Sequence, residues 1–239
     1  MKRMPIVSIA CFAAAAAAFA FLVAMATQQT IPYEVSEVPL EAEAVGADAG
    51  EGADPIDWSL LPASVVAWVR IPGTTVNYPI VQGDSADPGF YLTHDADGRA
   101  SAWGTPYIDD ACAEGAGSPL VVVFGHHMSD GTMFSPIASY SSRAFAEGHR
   151  AILVYTRERT IPLEAFAADV VDADREGVRT EFRDAEDLRS FVGEKLGGCD
   201  VLLEEPGDLE QVWAFATCSY QTDNSRTVVY AAEKEVDRQ

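Results

Sequence analysis

Val212-Trp-Ala-Phe-Ala-Thr-Cys-Ser-Tyr220 is an apolar run of strand length, and Thr227-Val-Val-Tyr-Ala231 is a second one a few residues later. β-Branched and aromatic residues recur in both, which favours extended backbone. Two strands joined by a short loop run side by side, and that returns Arg226 to the neighbourhood of Cys218. Side chains alternate along a strand. Cys218 therefore shares a face with Ala216, while Thr217 and Ser219 point the other way.

The same signal recurs outward from this pair. Leu120–Phe124 is continuously apolar and ends at Gly125, and Ile152–Tyr155, Ile161–Val171 and Val201–Leu203 read as further strands. Val76, Tyr78 and Ile80 alternate with polar residues or proline, and Pro79 predicts an edge or a bulge there. Val65–Ile71 reads as a buried strand or a helix end. Residues 83–118 are rich in Gly, Asp and Ala, the mark of loops with short strands. One amphipathic helix stands out, with Leu188, Phe191, Val192 and Leu196 on one face, Asp184 or Asp187 as its cap and Gly197-Gly198 as its end. Many short strands with one inserted helix predict a mostly-β barrel or sandwich rather than an α/β sheet.

The chain has 239 residues, 48% of them hydrophobic, which suffices for one sizeable core. Its formal net charge of −21 argues against a nucleic-acid partner, which needs Lys and Arg against phosphates. Ile6–Ala26 carries no charge and follows Lys2 and Arg3. A helix of that length spans roughly 31 Å, close to a bilayer core. Residues 1–27 are therefore expected to be a membrane anchor with a cytoplasmic N-terminus, the alternative being a cleaved signal at Ala24-Met25-Ala26. Either reading exports the rest. Residues 28–56 hold seven acids, three prolines and no Lys or Arg, the composition of an acidic flexible linker. Residues 57–239 are the expected catalytic domain, with Asp57 capping a short helical turn over Trp58–Leu61.

Four cysteines are too few for a disulfide scaffold, and no Cys-x-x-Cys pair suggests a zinc ribbon. Cys112 and Cys199 are left open between a disulfide and separate thiols. Cys218, at a strand end, is the candidate nucleophile. A thiolate needs a base, and His126 and His127 directly follow the apolar strand Leu120–Phe124. Only one of them can face the cysteine, and spacing does not say which. Adjacent residues on a strand diverge, so no metal is expected on this pair. Arg226 is the candidate partner of an oxyanion or a substrate carbonyl.

Five segments in order resemble the sortases, specifically class B. They are Trp68-Val-Arg-Ile-Pro-Gly73 with Asn77-Tyr-Pro-Ile-Val-Gln82; Tyr91-Leu-Thr-His-Asp95 with Gly98, Ser101, Gly104 and Ile108-Asp109; Phe124-Gly-His-His-Met-Ser-Asp-Gly-Thr-Met-Phe134; Ala216-Thr-Cys218; and Asp223-Asn-Ser-Arg226 with Val228 and Val229. The resemblance covers roughly residues 57–232. It departs from the family at His127, where relatives often carry Asn, and at Ala214-Phe215, where Thr-Leu is common.

The resemblance implies a sortase-type closed β-barrel of about eight strands, with N-terminal helices and one inserted amphipathic helix. It implies Cys218 as nucleophile, His126 as acid and base, and Arg226 as oxyanion partner. Thr217, Ser219, Tyr220, Asp223 and His127 are candidates for substrate binding. The implied reaction is transpeptidation: cleavage of a sorting motif at a Thr carbonyl, a thioester on Cys218, then transfer to an amine. No cofactor or metal is implied. The implied partners are a surface protein bearing a sorting signal and an amine from a peptidoglycan precursor or a pilin. The alternatives are a cysteine hydrolase of the same architecture, or a silent membrane-tethered binding module.

Overall fold

A computed structural model describes residues 56–174, 179–219 and 224–233. The apolar run Ile6–Ala26 and nearly all of the acidic stretch lie outside these residues. Among the described residues no helix is long and apolar enough to cross a membrane. The chain divides into two units, Met1–Leu60 and Leu61–Gln239. In the first, the predicted turn appears as a 3-10 helix at Trp58–Leu60, with the Asp57 carboxylate accepting from the Ser59 N–H at 3.0 Å.

Among the described residues the second unit is built on nine strands: β1 (Val65–Arg70), β2 (Asn77–Gln82), β3 (Tyr107–Ile108), β4 (Leu120–Gly125), β5 (Ala151–Thr156), β6 (Thr160–Asp172), β7 (Val201–Leu202), β8 (Val212–Cys218) and β9 (Ser225–Glu233). Their order is β5-β1-β2-β3-β4-β8-β9-β6-β7, and β5 also pairs with β6. That last pairing closes eight strands into a barrel, which leaves no free edge among them. β7 pairs with β6 through Ala167 and Ala168, beyond the point where β5 has left it. Register shifts between Val65 and Ala67 on β1, and between Ala165 and Ala167 on β6, bend the sheet toward closure.

The expected eight-stranded mostly-β barrel is thus present. Of the edge or bulge predicted at Pro79, the bulge is present: Pro79 pairs with Trp68 inside the ring, and the β1–β2 register shifts beside it, between Val65 and Ala67 opposite Val81 and Ile80. β3 reaches only Val81 and Gln82 of β2, so the missing N–H of Pro79 breaks no ladder bond on that side. Two short helices, α1 (Ser135–Ala138) and α2 (Arg143–Gly148), also stand between β4 and β5. At four and six residues they are too short to show a helical period.

The predicted amphipathic helix is α3 (Ala185–Leu196), between β6 and β7. Asp184 is its cap, accepting from the Asp187 N–H at 2.9 Å, and Leu188 and Val192 are its buried residues. Trp213, Phe134 and Phe215 are among the largest fully buried side chains of a single continuous core.

Candidate active site

Three neighbouring strands make the floor of one cavity of about 380 Å³. β4 and β8 run parallel, pairing Val122 with Ala214 and Phe124 with Ala216. β8 and β9 run antiparallel, pairing Ala214 with Tyr230, Ala216 with Val228 and Cys218 with Arg226. All of these residues line the cavity. The hollow follows from the alternation: between Val212 and Cys218 this face of β8 offers the small side chains of Ala214 and Ala216, while Val228 and Tyr230 flank them. The intervening residues Trp213 and Phe215 are fully buried on the other face.

Cys218 ends β8 at the rim of this hollow and is solvent-exposed. Arg226, across the ladder, makes no hydrogen bond or ion pair among the described residues. His126 follows β4 directly and lines the same cavity. The sequence alone left two histidines open, and the structure separates them. His126 lies in the cavity with Cys218. His127 donates from Nδ1 to the carbonyl oxygen of Cys218 at 2.8 Å, tying the histidine segment to the backbone of the cysteine strand.

The segment 125–134 has local reasons for its shape. Phe134 N–H donates to the His126 carbonyl at 2.8 Å, and Asp130 Oδ1 accepts from the Thr132 N–H at 3.0 Å. Gly131 takes φ +81. Gly125 is required for another reason: a Cβ there would stand 2.6 Å from the Phe134 ring. Phe134 is fully buried, so the chain can enter His126 this closely only without a side chain at 125.

The cavity's charge is opposite to that of the whole chain. In a protein of net charge −21, its ionisable lining among the described residues is His126, Arg179, Arg226, Cys218 and two tyrosines, with no carboxylate. Cations beside a low-dielectric floor favour a developing oxyanion. Burial pushes the Tyr107 phenol up to about 12, so it stays neutral in this company.

The other cysteines differ. Both Cys112 and Cys199 are free thiols, which settles against a disulfide between them. Burial pushes the Cys112 thiol up to about 11 and raises that of Cys199, where Asp169 adds to the effect. Among the described residues no cluster of three His, Cys, Asp or Glu side chains is placed to hold a metal ion.

The remaining candidates fall in different places. Thr217 is buried, and its hydroxyl donates to the Gly125 carbonyl at 2.9 Å, so its side chain ties β8 to β4. Ser219 is also buried, and its hydroxyl donates to that of Ser225 at 3.0 Å across the β8–β9 hairpin. Tyr220 and Asp223 lie outside the described residues. Leu92, Tyr107, Arg179 and Phe191 line the cavity without having been singled out as site residues. Phe191 had a signal, but the helical period that reveals it equally describes a core residue. Arg179 stacks 4.7 Å over the Phe182 ring and pairs with Asp187 at 2.6 Å.

Comparison with known proteins adds an independent line. The profile of the Sortase domain family matches residues 69–234. Sortase B of Staphylococcus aureus is 27% identical over 173 residues, covering 70% of this chain and 69% of that protein. The X-ray structure of Clostridium perfringens sortase B is 26% identical with a TM-score of 0.64, covering 72% of this chain and 94% of that one. A Staphylococcus aureus sortase B–substrate complex shares the fold at a TM-score of 0.63 and 24% identity, covering 73% of this chain and 81% of that one.

Proposed function

From the premise that this chain belongs to the sortase family, whose members are cysteine transpeptidases, we propose that it cleaves a sorting motif at a Thr carbonyl and joins the acyl part to an amine. The observation that carries this reading is the convergence of Cys218, His126 and Arg226, from three separate segments, on one cavity.

Cys218 Sγ attacks the Thr carbonyl carbon and forms the C–S bond. Arg226, unpaired among the described residues, donates to the oxyanion as charge develops. His126 gives its proton to the leaving nitrogen as the C–N bond breaks. A thioester remains. An incoming amine then forms a new C–N bond, His126 takes its proton, and the thiolate leaves. The apolar floor of Ala214, Ala216, Leu120 and Val122 limits water at this second step, which distinguishes transfer from hydrolysis.

The substrate is a surface protein with an Asn-Pro-x-Thr-like C-terminal motif, and the acceptor is an amine of a peptidoglycan precursor or a pilin. The apolar run Ile6–Ala26 anchors the enzyme, with the catalytic unit outside a Gram-positive-type cell membrane.

Product identity is the test. The full chain is incubated with Asn-Pro-x-Thr and Leu-Pro-x-Thr peptides, with and without triglycine, beside Cys218→Ala. An amine-joined product that needs Cys218 is expected. Free acid alone, with every amine offered, would make the protein a hydrolase. No cleavage by a folded chain would favour the binding module.

A further inference from the structure

His126 Nε2 lies 2.7 Å from the carbonyl oxygen of Leu92. A carbonyl oxygen only accepts, so Nε2 carries a hydrogen whether the ring is neutral or charged. Nδ1 is then the only ring atom that can take or give a proton. Among the described residues no carboxylate hydrogen-bonds His126. We infer that the Leu92 backbone carbonyl orients the catalytic histidine, in the place where many Cys–His sites use a side chain, and that protons move through Nδ1. This inference deepens the reading of His126 as acid and base and rests on it.

The carbonyl is held on both sides. Leu92 N–H donates to the Gly89 carbonyl at 3.0 Å, and Thr93 N–H to that of Phe90 at 3.1 Å. The Tyr91 carbonyl accepts from the Thr105 N–H at 2.9 Å, and the Thr93 carbonyl from the Ser101 N–H at 2.8 Å. Thr105 Oγ1 donates to the His94 carbonyl at 3.1 Å. The loop between Gly89 and Thr105 is thus a frame that fixes one acceptor against one imidazole.

Gly104 is where this frame can be tested. It adopts φ +61, and a Cβ would stand 2.4 Å from the Tyr91 oxygen and 2.8 Å from the Leu92 oxygen. A side chain there presses on the backbone of Tyr91 and Leu92 and so displaces the acceptor of His126, while Gly104 itself is not part of the cavity lining. Gly98 serves as the control. Its φ of +77 strains a substitution in the same loop, yet its Cβ would meet only the Phe90 ring, at 3.9 Å.

Two measurements decide the matter. The first uses the unmutated full chain labelled with 15N-histidine, with His126 assigned by the signal missing from His126→Ala. Nitrogen shifts above the ring's titration should show Nε2 protonated and Nδ1 bare, and the opposite tautomer overturns the inference. This readout needs no turnover, so it stands or falls apart from the proposed reaction and does not depend on a variant that may not fold. The second is the kinetics of Gly104→Ala against an Asn-Pro-x-Thr peptide and triglycine. kcat should fall at least about tenfold with KM held within about twofold, while Gly98→Ala keeps kcat within about threefold. Wild-type kcat in Gly104→Ala, or an equal loss in both variants, overturns the positioning role.

Discussion

Cys218 and Arg226 are direct partners across the antiparallel β8–β9 ladder, one at the end of its strand and the other at the second position of the next. The pairing places a thiol and a guanidinium side by side on one face of a hairpin. Their juxtaposition is a matter of register: a one-residue slip would send one of them to the opposite face.

The first consequence concerns Arg226. Its replacement by Lys keeps the charge but loses the planar fork of donors. Steady-state kinetics of Arg226→Lys should show kcat lower by about a hundredfold or more, as for loss of an oxyanion donor, with a smaller change in KM. A kcat within about threefold of wild type would remove Arg226 from the transition state.

The three described cysteines should react in a fixed order. Cys218 is exposed at the cavity rim, whereas burial raises the thiol pKa of Cys112 and Cys199. Limited iodoacetamide treatment of the native chain near pH 8, read by peptide mapping, should modify Cys218 first and Cys112 last. Cys112 should become reactive only in denaturant.

Gly125 should not tolerate even one methyl group. Its Cβ would overlap the buried Phe134 ring at 2.6 Å. Gly125→Ala should destabilise the fold by about 1–3 kcal/mol through overpacking, seen as a lower urea midpoint at unchanged slope. Pairing it with Phe134→Leu should recover part of that loss, because the clash partner has been reduced.

Acid should loosen the α3 region through Asp187. Hydrogen bonds from the Arg183 backbone N–H and from the Arg179 and Arg183 side chains hold its carboxyl at about 2. An unfolded aspartate titrates near about 3.9. The folded value is the lower one, so the stabilisation is complete above about pH 4 and fades as pH falls toward 2. Denaturation midpoints of wild type and Asp187→Asn should therefore converge across that window. A constant difference would show that the Asp187 charge contributes nothing.

Much of the barrel was legible because its strands are short-range patterns. Val212–Thr217 and Thr227–Ala231 each carry a strand signature, and a short loop between them dictates antiparallel pairing. The pairings of β1 with β5 and of β6 with β9, and the parallel pairing of β4 with β8, join residues far apart in sequence, which no local period encodes. The site divides in the same way. Cys218 and Arg226 are brought together by a hairpin and are readable as such. The choice between His126 and His127 needed the family resemblance, because both follow the same strand. Leu92 stayed hidden for a different reason: its contribution to His126 is a backbone carbonyl, and any residue supplies one. What fixes that carbonyl is Gly104, twelve residues on, whose need for φ +61 shows only in the folded loop.

The most direct measurement is the intact mass of the full chain, mixed with an Asn-Pro-x-Thr peptide without amine and quenched in acid. The account predicts an added mass equal to the acyl fragment ending at Thr, mapped to Cys218 and released by triglycine as an amide. A folded chain whose Cys218 alkylates readily yet never carries that acyl group, with either motif class, would contradict it.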